Sequence, residues 1–366
     1  VSEFSAAEHD YMRRALTLAA RGLNTTDPNP RVGCVLVRDG GIIAEGWHER
    51  AGEAHAEVFA LRAAGAAAAG ATAYVTLEPC AHTGRTPPCT EALIRAGVHR
   101  VVYAIADPNP RMRGGAEVLG EAGIQSACGL LAAESRALNP GFFKRFETGL
   151  PWVRVKLGAS LDGRTALASG ESRWITGKQA RADAQHYRAR SSVVLSGSGT
   201  ILADDPKLNV RVEGARRQPL RVVLDTTLRT SPDARVYIRD GEALIFTASE
   251  SEPARTAFEA QGVRVQRVPL EPTGGLKLRA VLEFLGAAGC NEVWVEAGAR
   301  LAGAFLQAGL ADELVLYLAP CLLGADGRPL AEIAPLAALE QRLTLKFTEV
   351  TMIGSDLRIT ARPVAE

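Results

Sequence analysis

Apolar and polar positions along this chain recur with two different periods, and the switches between them mark out its elements. Ser5 can cap a helix, Glu8 three residues on completes a capping box, and the apolar positions that follow keep helical spacing until Gly22. The runs "VGCVLV" and "GIIAEGWH" flank "RDGG", in which Asp39-Gly40 is a strong hairpin signal. Helical spacing resumes in "EAHAEVFALRAAGAAAA", yields to a strand in "ATAYVTL", and returns in "CTEALIRAG" after the proline-rich loop "PCAHTGRTPPC". The strand "RVVYAIA", a short helix around "AEVLGEAG" and a helix in "LAAESRAL" follow, and "ETGLPWV" reads as a polar and proline break. Beyond it, "WVRVKLGAS", "SSVVLSGSG", "LRVVLDTT", "ALIFTAS", "VRVQRV", "EVWVEAG", "DELVLYLAP", "LTLKFTEVTMI" and "DLRITARP" read as strands, with helical segments between several of them.

Strands alternating with helices after a hairpin predict a three-layer α/β/α sandwich for residues 1–149 and a separate α/β domain for residues 150–366. The length of 366 residues agrees, since single cores rarely grow past about 250–300 residues. Lys and Arg number 42 against 41 Asp and Glu, which excludes the basic balance of nonspecific nucleic-acid binding. No apolar run reaches the roughly 18–20 residues that span a bilayer, and the first 22 residues are charged throughout rather than built around a signal-peptide apolar core. A cytoplasmic protein without membrane or nucleic-acid partners is expected. Six cysteines spread over so long a chain do not make a disulfide framework, so reduced thiols or metal ligands are expected; Cys34, Cys128, Cys290 and Cys321 read as buried and inert.

The chemistry concentrates in two places. His55 and Glu57 open a helix in "HAE", Cys80 follows a strand, and Cys89 opens the next helix. One imidazole and two thiolates are ligands that Zn²⁺ prefers, and three of them leave a fourth tetrahedral position for water. Glu57 is not needed as a ligand and can shuttle a proton from that water to a leaving amine. H-x-E followed by P-C and a second cysteine matches the zinc nucleobase-deaminase signature, except that eight residues rather than two separate Cys80 from Cys89. The longer loop places His82 and Arg85 over the same site, and an arginine there suits a substrate phosphate. A closed zinc staple is the competing reading; it needs a fourth protein ligand, for which only His82 or Cys34 is at hand. In the second domain "VVLSGSGTILADDP" gives a strand end with a Gly-Ser-Gly turn, where glycines allow positive φ and close approach of a ligand. The G-x-G-x-x-G pattern is incomplete because Leu202 replaces its third glycine, and no P-loop occurs. "EVWVEAGARLAGAFLQAG" runs from a strand into a small-residue helix start whose amides can bind a pyrophosphate.

The words "NPRVGCVLV", "GEAHAEVFAL", "TLEPCAHTGRTPPC" and "ADPNP" resemble the deaminase half of the RibD family of bifunctional riboflavin-biosynthesis proteins. "VKLGASLDGRTALASGESRWIT", "LSGSGTILADDPKLNVR" and "VEAGARLAGAFLQAGLADELVLYLAP" are similar to its reductase half, so the resemblance spans nearly the whole chain. It implies a cytidine-deaminase-like α/β/α sandwich followed by an α/β domain similar to dihydrofolate reductase. It also implies zinc on His55, Cys80 and Cys89, Glu57 as proton shuttle, and Asn29, His82, Arg85, Asp107 and Asn109 around a diaminopyrimidine ribose phosphate. Arg85 stands where the family carries Lys or Arg, Ala81 stands where Ser is common, and His48 is set aside as structural. NADPH is expected on Gly158, Trp174, Thr200, Asp204, Thr226 and the run Gly298, Ala299, Arg300, Leu301, Ala302, Gly303 and Ala304. The pyrimidine ribotide is expected on Ser172, Arg188, Leu208, Arg211 and Glu296, with the two arginines at its phosphate. Between about 212 and 290 only "LRVVLDTT" matches the family closely. The resemblance further implies hydrolytic deamination, then NADPH-dependent reduction of the ribosyl group to ribityl, in a homo-oligomer, a dimer by family analogy. Two other enzyme readings compete. A nucleic-acid base deaminase would carry the shorter cysteine spacing and a charged groove. A deaminase with an inactive reductase half would lack some of Trp174, Arg188, Asp204 and Glu296, all of which are present.

Overall fold

The computed structural model describes residues 4–84, 87–238 and 241–364. The chain divides into two compact units, Val1–Gly149 and Leu150–Glu366, each with its own core.

In the first unit the helices are α1 (Ala6–Ala19), α2 (Ala56–Ala64), α3 (Cys89–Arg95), α4 (Gly115–Glu121), α5 (Ala132–Leu138) and α6 (Pro140–Thr148). Its strands β1 (Gly33–Arg38), β2 (Gly41–Trp47), β3 (Thr72–Val75), β4 (Arg100–Tyr103) and β5 (Gln125–Cys128) form a sheet in the order β2-β1-β3-β4-β5. The capping box closes both ways between Ser5 and Glu8. The β1–β2 hairpin turns on Asp39 and Gly40, both at positive φ (52° and 74°), the backbone that a two-residue turn of matching twist requires. Alternate residues of β1 serve opposite layers, as the two-residue period of a strand dictates. Cys34 and Leu36 pack with Ala56 and Ala60 of α2, Leu93 of α3 and Leu119 of α4, whereas Val35 and Val37 pack under Met12, Ala15 and Leu18 of α1. This is the expected three-layer sandwich. Two elements go beyond the expectation: β5, and α6, which starts on Pro140, runs into the "ETGLPWV" segment as far as Thr148, and stops at the left-handed Gly149.

The second unit contains strands β6 (Trp152–Ser160), β7 (Arg164–Ala166), β8 (Val193–Gly197), β9 (Leu220–Leu224), β10 (Ala243–Thr247), β11 (Arg264–Arg267), β12 (Glu292–Glu296), β13 (Glu313–Ala319), β14 (Arg328–Pro329), β15 (Leu345–Ile353) and β16 (Asp356–Pro363). Its helices are α7 (Lys178–Arg190), α8 (Ser198–Asp204), α9 (Glu252–Ala260), α10 (Leu278–Ala287) and α11 (Ala299–Gln307). The main sheet has the order β11-β10-β9-β8-β12-β6-β13-β16-β15, parallel from β11 to β13 and antiparallel at its β16 and β15 edge. Valines and leucines of the central strands face α10 and α11 on one side; Val194, Val223, Ile245 and Trp294 face α7 and α9 on the other. Burial on both faces explains why these strands read as unbroken apolar runs.

Two local expectations are corrected. Gly197 is an extended residue (φ −98°, ψ 155°) that leads directly into α8, and neither it nor Gly199 has positive φ; the strand runs straight into a helix without a glycine turn. Cys34 is buried, but Cys128 is exposed on the edge strand β5, and Cys290 and Cys321 are half-buried.

Candidate active sites

His55 is the extended N-cap of α2 (φ −79°, ψ 166°), which makes Glu57 the second residue of that helix. Cys89 opens α3, and Cys80 lies in the segment that leaves β3. The ligand atoms of His55, Cys80 and Cys89 lie within 4.8 Å of one another. His55 Nδ1 is 3.1 Å from Cys89 Sγ and 3.6 Å from Cys80 Sγ, and the Cys89 backbone N–H donates to Cys80 Sγ at 3.2 Å. Zinc bonds of about 2.0–2.1 Å to nitrogen and 2.3 Å to sulfur set tetrahedral ligands roughly 3.5–3.8 Å apart, so the cluster fits zinc. Among the described residues no fourth His, Cys, Asp or Glu joins it, which is the pattern of a catalytic rather than a structural zinc.

The electrostatics suit that use. Hydrogen bonds from the Cys89 thiol first, then from His55 and the Cys89 backbone N–H, pull the Cys80 thiol down; sharing with Cys80 and burial push Cys89 up. Glu57 is only 3% exposed, and burial raises its carboxyl above the ordinary value against the pull of the neighbouring His55. It can therefore hold a proton next to the cluster.

Beside the cluster, His48 stands edge-on to His55 at 5.4 Å between ring centroids. Its Nδ1 lies 2.9 Å from the Ala54 carbonyl, which demands a proton there, so its Nε2, 3.1 Å away, accepts from the Asn29 side-chain amide. Asp107 is buried in the loop after β4; burial pushes its carboxyl up to about 7, and it accepts from the Asn109 N–H at 2.8 Å. His82 is exposed and makes no hydrogen bond or ion pair among the described residues. Arg85 lies outside the described residues.

In the second unit the expected residues gather at the carboxyl ends of neighbouring parallel strands, where open α/β sheets bind ligands. Gly158 is on β6, Thr200 and Asp204 are on α8 after β8, Thr226 follows β9, and Glu296 ends β12 just before α11. Glu296 is clamped by Arg188, whose Nε donates to Oε1 at 2.5 Å and Nη2 to Oε2 at 2.7 Å; Trp294 Nε1–H adds a bond to Oε1 at 2.7 Å. Burial opposes its ionisation, but the Arg188 guanidinium outweighs that and holds the Glu296 carboxyl down at about 2. Arg188 also donates through Nη1 to the Asn209 carbonyl at 2.8 Å, so three of its five N–H donors serve protein partners. Arg211 is exposed. Leu208 has a buried side chain and a left-handed backbone (φ 51°), the kind of local strain that concentrates at ligand sites. Trp174 is 70% exposed beneath Arg181, and the adjacent Arg173 bonds the Asp204 carbonyl and carboxylate. The start of α11 has no side-chain cap, and a Cβ on Gly298 would meet no atom within 4 Å, so its first amides are open to a phosphate-bearing cofactor. Ala302 and Gly303 turn inward instead, a Cβ on Gly303 falling 1.9 Å from the Glu332 carbonyl oxygen.

The family model described as the cytidine and deoxycytidylate deaminase zinc-binding region matches residues 5–105, and that of the RibD C-terminal domain matches residues 151–359. The riboflavin biosynthesis protein RibD of Escherichia coli K12 is 51% identical over 360 residues, covering 95% of this chain and 97% of that protein. The chain belongs to the RibD family. The RibD protein of Bacillus amyloliquefaciens is 44% identical over 361 residues, 97% of this chain and 96% of its own length. Among solved structures, form 1 of Acinetobacter baumannii RibD superposes with a TM-score of 0.92 at 44% identity, covering 98% of this chain and 99% of that one. A diaminohydroxyphosphoribosylaminopyrimidine deaminase/5-amino-6-(5-phosphoribosylamino)uracil reductase from Thermotoga maritima gives 0.86 at 33% identity, over 98% and 99% of the two chains. Like its RibD relatives, the chain is a bifunctional enzyme of riboflavin biosynthesis, with a zinc-binding deaminase domain and a reductase domain. No helix among the described residues is long and apolar enough to cross a membrane.

Sequence reasoning missed Lys156 in this RibD chain. Its ammonium is pulled down by burial while Glu296 holds it up and Arg188 repels it, and it lies 3.7 Å from where a Cβ on Gly158 would be. Trp294 was likewise read only as strand, although its spacing of two residues from Glu296 on one strand puts both side chains on the same face.

Proposed function

We propose that the first domain hydrolytically deaminates 2,5-diamino-6-ribosylamino-4(3H)-pyrimidinone 5′-phosphate. The second domain then reduces the ribosyl group with NADPH, giving 5-amino-6-ribitylamino-uracil 5′-phosphate. The observation that carries this reading is the three-ligand N/S/S cluster with the buried Glu57 carboxyl beside it. His55, Cys80 and Cys89 hold zinc, which when bound supplies the Lewis acidity that makes water a nucleophile near neutral pH. Glu57 takes a proton at its carboxylate and returns it to the departing amine. Asn29, with its amide oriented by His48, contacts the pyrimidine together with Asp107 and Asn109; His82 and Arg85 belong to the phosphate end.

In the second domain NADPH supplies the hydride. The cofactor lies along Gly158, Trp174, Thr200, Asp204, Thr226 and the exposed backbone at the start of the run 298–304. Ser172, Arg188, Leu208, Arg211 and Glu296 receive the ribotide, the two arginines toward its phosphate. Held as a carboxylate, Glu296 accepts hydrogen bonds from sugar hydroxyls and orients C1′ toward the cofactor. The enzyme works in the cytoplasm as a homodimer, a reading that rests on the family likeness.

The test is mass spectrometry of the diaminopyrimidine ribotide incubated with zinc-loaded protein, without and with NADPH. Exchange of an amine for a carbonyl in the first tube, and two further hydrogens in the second, are expected. Glu57→Gln should keep its zinc and lose about 10²–10⁴-fold in deamination. Unchanged substrate in both tubes with the parent protein would overturn the assignment.

A further inference from the structure

The loop that carries Asp107 and Asn109 is tied to the zinc loop at one buried point. Glu78 stands two residues before Cys80 and is 7% exposed. Its Oε2 accepts from the Asp107 N–H at 3.1 Å, while Oε1 accepts from the Gly114 and Ala116 N–H groups at 3.2 Å each. Backbone bonds run alongside, from the Glu78 N–H to the Ile105 carbonyl (2.9 Å) and from the Ala81 N–H to the Met112 carbonyl (3.0 Å). The fit is close: a Cβ on Gly115 would fall 1.9 Å from the Pro79 carbonyl oxygen. One side chain thus grips both ends of the 107–116 loop, and only a carboxylate offers acceptors in both directions.

We propose that Glu78 is a positioning residue of the deaminase, setting Asp107 and Asn109 at the distance from the zinc ligands that the pyrimidine ribotide requires. The proposal rests on the reading of Asp107 and Asn109 as substrate contacts. Glu78 touches neither substrate nor metal and acts through the loop.

Glu78→Gln is the discriminating variant. Its one oxygen can still serve Gly114 and Ala116, but its amide NH₂ then faces the Asp107 N–H, donor against donor. The Asp107 end of the loop is released, and the metal ligands are untouched. The expected result is a KM for the diaminopyrimidine ribotide raised about tenfold or more. The kcat should stay within about twofold, and zinc content and NADPH-dependent reduction by the same chain should be unchanged. Asn109→Ala, measured in parallel, should raise KM as well. A raised KM in Asn109→Ala with an unchanged KM in Glu78→Gln would overturn the role of Glu78 alone. An unchanged KM in Asn109→Ala would overturn the contact reading and the proposal with it. Loss of zinc and kcat together in Glu78→Gln would make Glu78 a support of the metal loop and also overturn the proposal.

Discussion

Replacing Arg188 by leucine tests the account of the reductase site most severely. Arg188 and Glu296 form a two-bond pair with side chains 9% and 16% exposed. Leucine removes the paired cation and leaves a buried carboxylate offset by the Trp294 N–H and, at longer range, by the Lys156 and Arg211 cations. Breaking one partner of a buried pair costs about 3–5 kcal/mol. The depression of the Glu296 carboxyl from an ordinary 4.5 to about 2 is consistent with this, corresponding to about 3 kcal/mol. Because the folded value is depressed, this contribution is fully present above about pH 4.5 and is lost as the pH falls through about 2. For a domain of this size the melting temperature of the second unit should fall on the order of 10 °C at neutral pH. NADPH-dependent reduction should vanish with it, while deamination by the first unit persists. The double variant Arg188→Leu/Glu296→Leu has no stranded charge, so it should recover most of the melting temperature, short by about 1 kcal/mol for the acceptor that Trp294 loses. Reduction should stay absent. Calorimetry of the parent, both single variants and the double variant closes the cycle. An Arg188→Leu protein that melts within about 1 °C of the parent, or a double variant no more stable than the single, would refute the clamp.

Two further outcomes follow from the same geometry. Removing metal with a strong chelator should abolish deamination and spare reduction, because the N/S/S cluster lies wholly in the first unit; metal analysis and the two assays side by side check this, and restoration by added Zn²⁺ is expected. Gly303→Ala forces a methyl against the Glu332 backbone, so α11 must shift, at a cost of about 1–3 kcal/mol; thermal melting and NADPH titration should both weaken, whereas deamination should not.

Much of this molecule was legible in the sequence because local rules decide it. The Ser5–Glu8 box, the Asp39-Gly40 turn and the H-x-E with its two cysteines each act over a few residues or through a motif whose chemistry admits few partners. What escaped depends on distant neighbours. Lys156 reads as an ordinary polar position in "WVRVKLGAS"; only the arrival of Glu296 on β12 and Arg188 on α7 makes it part of a charge cluster. The same pairing engages Arg188 with a buried carboxylate 108 positions away, which its residue type alone does not indicate. Helix α6 was not read from the sequence; it opens on Pro140, and Pro is well suited to the first turn of a helix. The Gly-Ser-Gly segment misled in the opposite sense, since glycine permits positive φ without requiring it.

The two sites also differ in how much chain must be in place before they exist. The closest pair in the zinc cluster, His55 and Cys89, is separated by 34 positions, whereas Arg188 and Glu296 are separated by 108. The extra loop closure adds only about 1 kcal/mol of entropy, but β12, which carries Glu296, must also take its place between β8 and β6. The shorter separation predicts that the zinc ligands assemble before the reductase clamp does. On refolding from denaturant in the presence of zinc, deamination should return before reduction, so that the ratio of the two activities serves as a clock for folding.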